Sequence, residues 1–305
     1  MNTEKVLMKG NDAISEAAIR AGCQAYFGYP ITPQNEIPAY MSQHMLAKGR
    51  VFIQAESETA AMVMVYGASC AGVRAMTSSS SPGMSLKQEG ISYAAGADIP
   101  CVIANVSRGG PGLGNIAPAQ SDYFQSTRGG GHGDYYCIVL APKNIQECAD
   151  FTYLAFDLAD QYRMPVIVLV DGMIGQMMEG LVLPPERPIK DLPKRQWSVG
   201  YMAKTAGSDG SGASTGSVRP SRHITSIDLV PESLEAKTKA RFERYEIIKK
   251  NEIRLEETGI TGSDGAYSAD IVLVAYGTSA RVCLGAKKLA EKAGIKVGLI
   301  RLITL

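Results

Sequence analysis

Short apolar runs recur along the first part of the chain, at residues 25–29, 51–54, 74–78, 101–106, 136–140 and 166–170. Most are almost wholly apolar, the signature of a strand buried on both faces. Between them, at 12–21, 33–46, 58–71, 84–97 and 145–162, apolar positions recur at helical spacing. Such alternation predicts an α/β fold, a mostly parallel sheet covered on both faces by helices. Asn11 is placed to cap the first helix and Gly22 to end it; Thr32 would cap the second, with Pro33 at its first position.

After Gly172 the pattern weakens. Residues 184–194 are rich in proline and charge, 206–221 form a Gly/Ser-rich tract that reads as a flexible loop or linker, and 234–257 read as a solvated, charged helix. A strand at 269–275, a helix at 280–293 and a second strand at 296–302 follow. One β-α-β unit is too small to bury its own core, so this part is expected to be the start of a truncated domain. The expected organisation is therefore a first domain over 1–183, a linker over 184–265 and a partial domain over 266–305.

Composition excludes several classes. The 31 basic and 30 acidic residues leave a net charge of +1, no footprint for nucleic acid, and no Lys/Arg run suggests a membrane surface. No apolar stretch approaches the ~18–20 residues that span a bilayer. The opening MNTEKVLMKGND lacks the apolar core of a signal peptide, which predicts a cytoplasmic protein. Of the six cysteines no two are spaced C-x-x-C, which argues against an iron–sulfur or zinc site within the chain. Any electrons handled here must leave through another polypeptide.

In such sheets ligands collect at the carboxyl ends of strands, where the polar motifs fall. In GYPITP (28–33) two prolines, Pro30 and Pro33, flank Thr32, whose hydroxyl suits a carboxylate or carbonyl oxygen, or simply caps a helix. Glu56 and Glu58 precede a helix that is apolar almost all round, so a carboxylate in its first turn is either a partly desolvated ligand group or a capping acid. In SRGGPGLG (107–114) Arg108 could grip a carboxylate in two-pronged fashion, while the glycines fit a dinucleotide loop poorly: counting from Gly110, the third glycine position is Asn115. His132 in GGGHGD is a ligand candidate or a structural histidine, and the serine run at 78–81 lines a site or caps a helix.

Taken in order, GYPITP, ESETAA, SSSSPG, SRGGPGLGN and GGGHGD make the chain resemble the α-type subunits of 2-oxoacid:ferredoxin oxidoreductases, most of all those for branched-chain substrates such as 2-oxoisovalerate (3-methyl-2-oxobutanoate). The resemblance is dense over residues 5–180, and the closing AYGTSAR…VGLIRLITL is similar to the start of the family's transketolase C-terminal-like domain. It implies a thiamine-diphosphate pyrimidine-binding domain followed by part of that second α/β domain. It implies that Glu58 is the catalytic acid at the pyrimidine ring nitrogen, that Pro30 lies against the cofactor, and that Thr32 and Arg108 hold the 2-oxoacid. No GDG followed by NN is present to bind diphosphate through a metal ion. The resemblance therefore implies a β subunit carrying diphosphate and Mg²⁺, a ferredoxin-like subunit carrying [4Fe–4S] clusters, possible further assembly with a γ subunit, and ferredoxin and coenzyme A as reaction partners. Implied alternatives are 2-oxoglutarate or pyruvate as substrate; a nicotinamide-dependent dehydrogenase or a non-catalytic assembly subunit are the other classes.

Overall fold

The computed structural model describes residues 4–206, 214–261 and 268–305. The chain opens with β1 (Val6–Lys9), α1 (Gly10–Arg20), β2 (Ala25–Gly28), α2 (Glu36–Ala47), β3 (Val51–Gln54), α3 (Glu58–Cys70), β4 (Ala75–Ser79) and α4 (Ser81–Gly96). It continues with β5 (Cys101–Gly109), β6 (Asn115–Pro118), α5 (Tyr123–Thr127), β7 (Ile138–Leu140), α6 (Ile145–Tyr162), β8 (Pro165–Asp171), α7 (Gly172–Gln176) and β9 (Met178–Leu181). Then come β10 (Ala203–Ala206), β11 (Ser214–Val218), α8 (Pro231–Asn251), β12 (Leu255–Thr258), β13 (Ile271–Ala275), α9 (Gly277–Lys292) and β14 (Val297–Leu302).

The main sheet runs β3-β2-β4-β5-β8-β7, all parallel, with β6 folded back antiparallel on β5. Successive residues of a strand point to opposite faces, and the two halves of the core follow that parity. Val102, Ala104 and Val106 of β5 pack with α1, α2 and α6; Cys101 and Ile103 pack with α3 and α4. The helices α3 and α4 meet closely because Gly90 has no side chain: a Cβ there would lie 2.5 Å from Met62 Cγ. The strand order reverses between β2 and β4, so their carboxyl ends open a crevice at the switch point, where α/β folds bind ligands. The expected α/β architecture is borne out.

Several local expectations fail for tertiary reasons. Asn11 lies inside α1 instead of capping it; the N-cap is Lys9, and the buried Asn11 Nδ2 donates to Pro33 O and to Glu36 Oε2, both at 2.8 Å. Gly22, at φ +87°, does close that helix. The second helix starts at Glu36, three residues beyond the expected Pro33, because residues 31–34 form a turn closed by Gln34 N–H to Ile31 O, 3.0 Å. Residues 234–257 divide: α8 ends at Asn251, and β12 pairs antiparallel with β14. In the Gly/Ser-rich tract 207–213 lie outside the described residues, while β11 pairs with β10.

A smaller sheet, β12-β14-β13, holds α9. Its tail returns to the main sheet, with Ala141 N–H donating to Ile303 O at 2.8 Å and Leu305 N–H to Val139 O at 3.0 Å. Arg301 of β14 is buried and pairs with Glu147 at the start of α6.

Candidate active site

The turn after β2 carries Pro30 and Thr32, both exposed at the crevice. Thr32 Oγ1 accepts from Asn35 Nδ2 at 3.3 Å and caps no helix. The turn is held from below by Gln34, fully buried, whose Nε2 donates to Tyr29 O at 3.1 Å. Ser78 Oγ donates to Gln34 Oε1, so in the 2.6 Å Tyr26–Ser78 contact the tyrosine is the donor. Burial pushes the Tyr26 hydroxyl pKa upward, against the bond to Ser78. This network ties the end of β4 to the turn that presents Thr32. Gln34 went unnoticed in the sequence; its signal was a polar residue between two apolar elements.

The β3–α3 junction resolves the two glutamates. Glu56 is exposed; Glu58 is 6% exposed. Ser57 is the N-cap, its hydroxyl accepting from Ala60 N–H at 3.1 Å, so Glu58 has no capping duty to perform. Its carboxyl lies over the first turn of α4: a Cβ on Gly83 would stand 2.7 Å from Glu58 Oε1 and 2.1 Å from Ser79 Oγ. The hydroxyls of Ser79 and Ser80, both buried, have no hydrogen-bond partner among the described residues. Beneath them Lys87, fully buried on α4, donates to Glu58 O and Thr77 Oγ1, both at 3.1 Å. Burial pushes its ammonium down to about 7, against the attraction of the Glu58 charge. Gly83 closes the SSSSPG motif, whereas Lys87 was missed in the sequence, although it stands on the stripe of α4 shared by Gly83, Met84, Gly90 and Ile91.

Arg108, next to the last residue of β5, is 7% exposed. Its Nη1 donates to Thr32 O at 2.8 Å and its Nη2 to Leu113 O at 2.9 Å, while Nε, also buried, has no partner among the described residues. Its backbone is fixed by Ser81: Arg108 N–H donates to Ser81 Oγ at 2.9 Å. Ser81 Oγ donates to the buried Asp122 carboxylate at 2.7 Å, as does Asn105 Nδ2 at 2.9 Å. The start of α4 thus touches Arg108 through Ser81 and Glu58 beside Gly83, and Arg108 touches the Thr32 turn. Thr32, Glu58 and Arg108 belong to one continuous set of contacts at the switch point.

Two other candidates do not join it. The glycines at 109–114 turn β5 into the antiparallel strand β6, Gly109 opposite Asn115, whereas a dinucleotide loop must open a helix. His132 is exposed, and its main chain accepts from Ser92 Oγ on α4.

A buried carboxyl, two serine hydroxyls without a partner among the described residues and a buried arginine thus lie together at an α/β switch point, where such folds bind ligands. Residues 16–240 match the family described as "Pyruvate flavodoxin/ferredoxin oxidoreductase, thiamine diP-bdg", and the chain belongs to that family. It is 49% identical over 299 residues to the ketoisovalerate oxidoreductase subunit VorB of Methanothermobacter marburgensis, covering 98% of this chain and 79% of that one. It is 35% identical to the 2-oxoglutarate synthase subunit KorA of Methanocaldococcus jannaschii, covering 98% of this chain and 82% of the relative. Among solved structures it superimposes with a TM-score of 0.81, at 28% identity, on a 2-oxoglutarate:ferredoxin oxidoreductase from Magnetococcus marinus with 2-oxoglutarate, coenzyme A and succinyl-CoA bound. That match covers 99% of this chain, which spans 54% of the solved chain. The resemblance carried by the five motifs is borne out. Among the described residues no helix is long and apolar enough to cross a membrane.

Proposed function

We propose that this chain is the pyrimidine-holding subunit of a thiamine-diphosphate-dependent 2-oxoacid:ferredoxin oxidoreductase, acting on a branched-chain 2-oxoacid. The observation that carries the assignment is Glu58: buried, relieved of capping by Ser57, and set over Gly83 beside two unpartnered serine hydroxyls. These residues fit the aminopyrimidine. A carboxyl can meet a ring nitrogen, the hydroxyls supply further polar contacts, and the missing side chain at Gly83 leaves room for the carboxyl. When bound, thiamine diphosphate would supply the nucleophilic carbon and the electron sink that decarboxylation of a 2-oxoacid needs.

Glu58 holds the proton exchanged with the ring nitrogen. Arg108 offers its free Nε–H to the substrate carboxylate, with the guanidinium plane already fixed by two carbonyls. Thr32 faces the substrate's oxygen atoms, and Pro30 borders the cofactor. The diphosphate and its Mg²⁺ fall to a β subunit, because this sequence has no GDG followed by NN. A [4Fe–4S] subunit and ferredoxin would take up the electrons and coenzyme A the acyl group. Residues 1–183 form the pyrimidine domain and 266–305 belong to a second, transketolase C-terminal-like domain. The branched-chain substrate is favoured by the higher identity to the two VorB relatives, 49% and 48%, than to the KorA relatives at 35–38%.

Calorimetric titration tests this division of labour. The chain alone should bind thiamine diphosphate with Mg²⁺ weakly or not at all, and the complex reconstituted with its partners should bind it tightly and turn over 3-methyl-2-oxobutanoate. Tight binding and 2-oxoacid decarboxylation by the chain alone would overturn it.

A further inference from the structure

Lysine is rarely buried, because its ammonium loses water and its long stem loses rotamer freedom. Lys87 is nonetheless fully buried, in the middle of α4. It has three N–H donors and no acceptor, and its two hydrogen-bond partners are neutral oxygens, Glu58 O and Thr77 Oγ1. One lies on the first residue of α3 and the other on β4, so the lysine crosses from a third element to join two others. Of the elements packed against α4, α3 brings Glu58 and β4 the neutral Thr77, while β5 carries Arg108 and β8 Asp171. Among the described residues the charge that acts on the ammonium is that of Glu58.

We propose that Lys87 is a positioning residue for Glu58: by tying the Glu58 main chain to Thr77 of β4 from beneath, it fixes the direction in which the carboxyl enters the site. The proposal rests on the assignment of Glu58 to the cofactor, and deepens it. Ser57 caps this turn by accepting from Ala60 N–H, and Lys87 adds a tie from α4 to the Glu58 main-chain oxygen. A lysine whose proton affinity lies near neutrality also makes this tether sensitive to pH over the working range.

The test uses the full complex with K87M, which keeps the stem and removes the donors. Before cofactor is added, amide exchange in the segment 56–62 should quicken about tenfold, the loss of one buried charge-assisted bond. With cofactor, kcat should fall roughly 10–100-fold while KM for the 2-oxoacid changes little, as for lost positioning at the reacting centre. The wild-type pH profile of kcat should show an inflection near pH 7 that K87M lacks. The milder T77V, which removes only the β4 end of the tether, should move exchange and kcat in the same direction by less, and it serves as the test if K87M does not assemble. Unchanged exchange and an unchanged kcat profile in T77V and in any assembled K87M would overturn the proposal. Because the exchange readout needs no cofactor, it can fail while Glu58→Gln still abolishes turnover, which separates this proposal from the assignment of Glu58.

Discussion

Arg108 Nη1 donates to the main-chain oxygen of Thr32 at 2.8 Å, joining the end of β5 to the turn after β2 across the switch point of the sheet. The same guanidinium reaches Leu113 O in the glycine-rich turn, so one side chain holds the two loops that border the site. Its buried Nε has no hydrogen-bond partner among the described residues.

Replacing this arginine should affect both substrate and loop. Lysine is a point charge and cannot reproduce three directions of donation from one plane. In the assembled complex R108K should lower kcat/KM for the 2-oxoacid by about 10²-fold, chiefly through KM, with thiamine diphosphate binding nearly unchanged. Steady-state kinetics set beside a cofactor titration check this. Equal losses in both would place Arg108 at the cofactor instead.

Gly83 makes a second, geometric test. An alanine methyl would stand 2.1 Å from Ser79 Oγ and 2.7 Å from Glu58 Oε1, closer than real Cβ atoms approach, so the Ser79 and Glu58 side chains must shift to admit it. G83A should assemble normally yet lose roughly tenfold or more in kcat, because catalysis tolerates about an ångström of misplacement poorly. G67A is a fair control: on α3, nothing lies within 4 Å of where its Cβ would go. Its kcat should match the wild type.

Lys87 also predicts a pH dependence of stability. Burial lowers its folded-state pKa from 10.5 to about 7, so between those values the unfolded chain binds a proton that the folded chain does not. Stability from this group therefore rises with pH across that window and is lost as pH falls through about 7. At about 1.4 kcal/mol per pKa unit, the displacement from 10.5 to about 7 is worth a few kcal/mol. Buried tyrosines and cysteines with raised pKa act in the opposite sense, so the quantity to measure is the difference between wild type and K87M. Urea unfolding from pH 7 to 10 should show the wild type gaining on K87M; a constant difference would contradict the burial of a titrating lysine.

How much of this was legible in the sequence depended on whether the signal was local. Strands such as residues 101–106 and 166–170 are apolar at nearly every position, and no other environment suits them. The pattern marked Glu56 and Glu58 together ahead of an apolar helix, the family resemblance pointed to Glu58, and its burial separates it from Glu56. The helix starts were misjudged where a distant partner competed: Asn11 gives up capping to bond Pro33 and Glu36, whose places depend on the folded turn. The glycines after Arg108 read as a loop, and only the pairing of Gly109 with Asn115 makes them a hairpin turn. Lys87 was invisible because a lysine in a helix ordinarily faces water, and its burial comes from β4 and α3 closing over it.

The most direct measurement is turnover of the reconstituted complex carrying Glu58→Gln, with 3-methyl-2-oxobutanoate, coenzyme A and ferredoxin. Glutamine keeps the shape but cannot hold the exchanged proton, so kcat should fall by about 10²–10⁴-fold, the usual worth of a positioned acid–base group. The variant should still assemble with its partners. A fully active Glu58→Gln complex would contradict the assignment of this carboxyl to the cofactor.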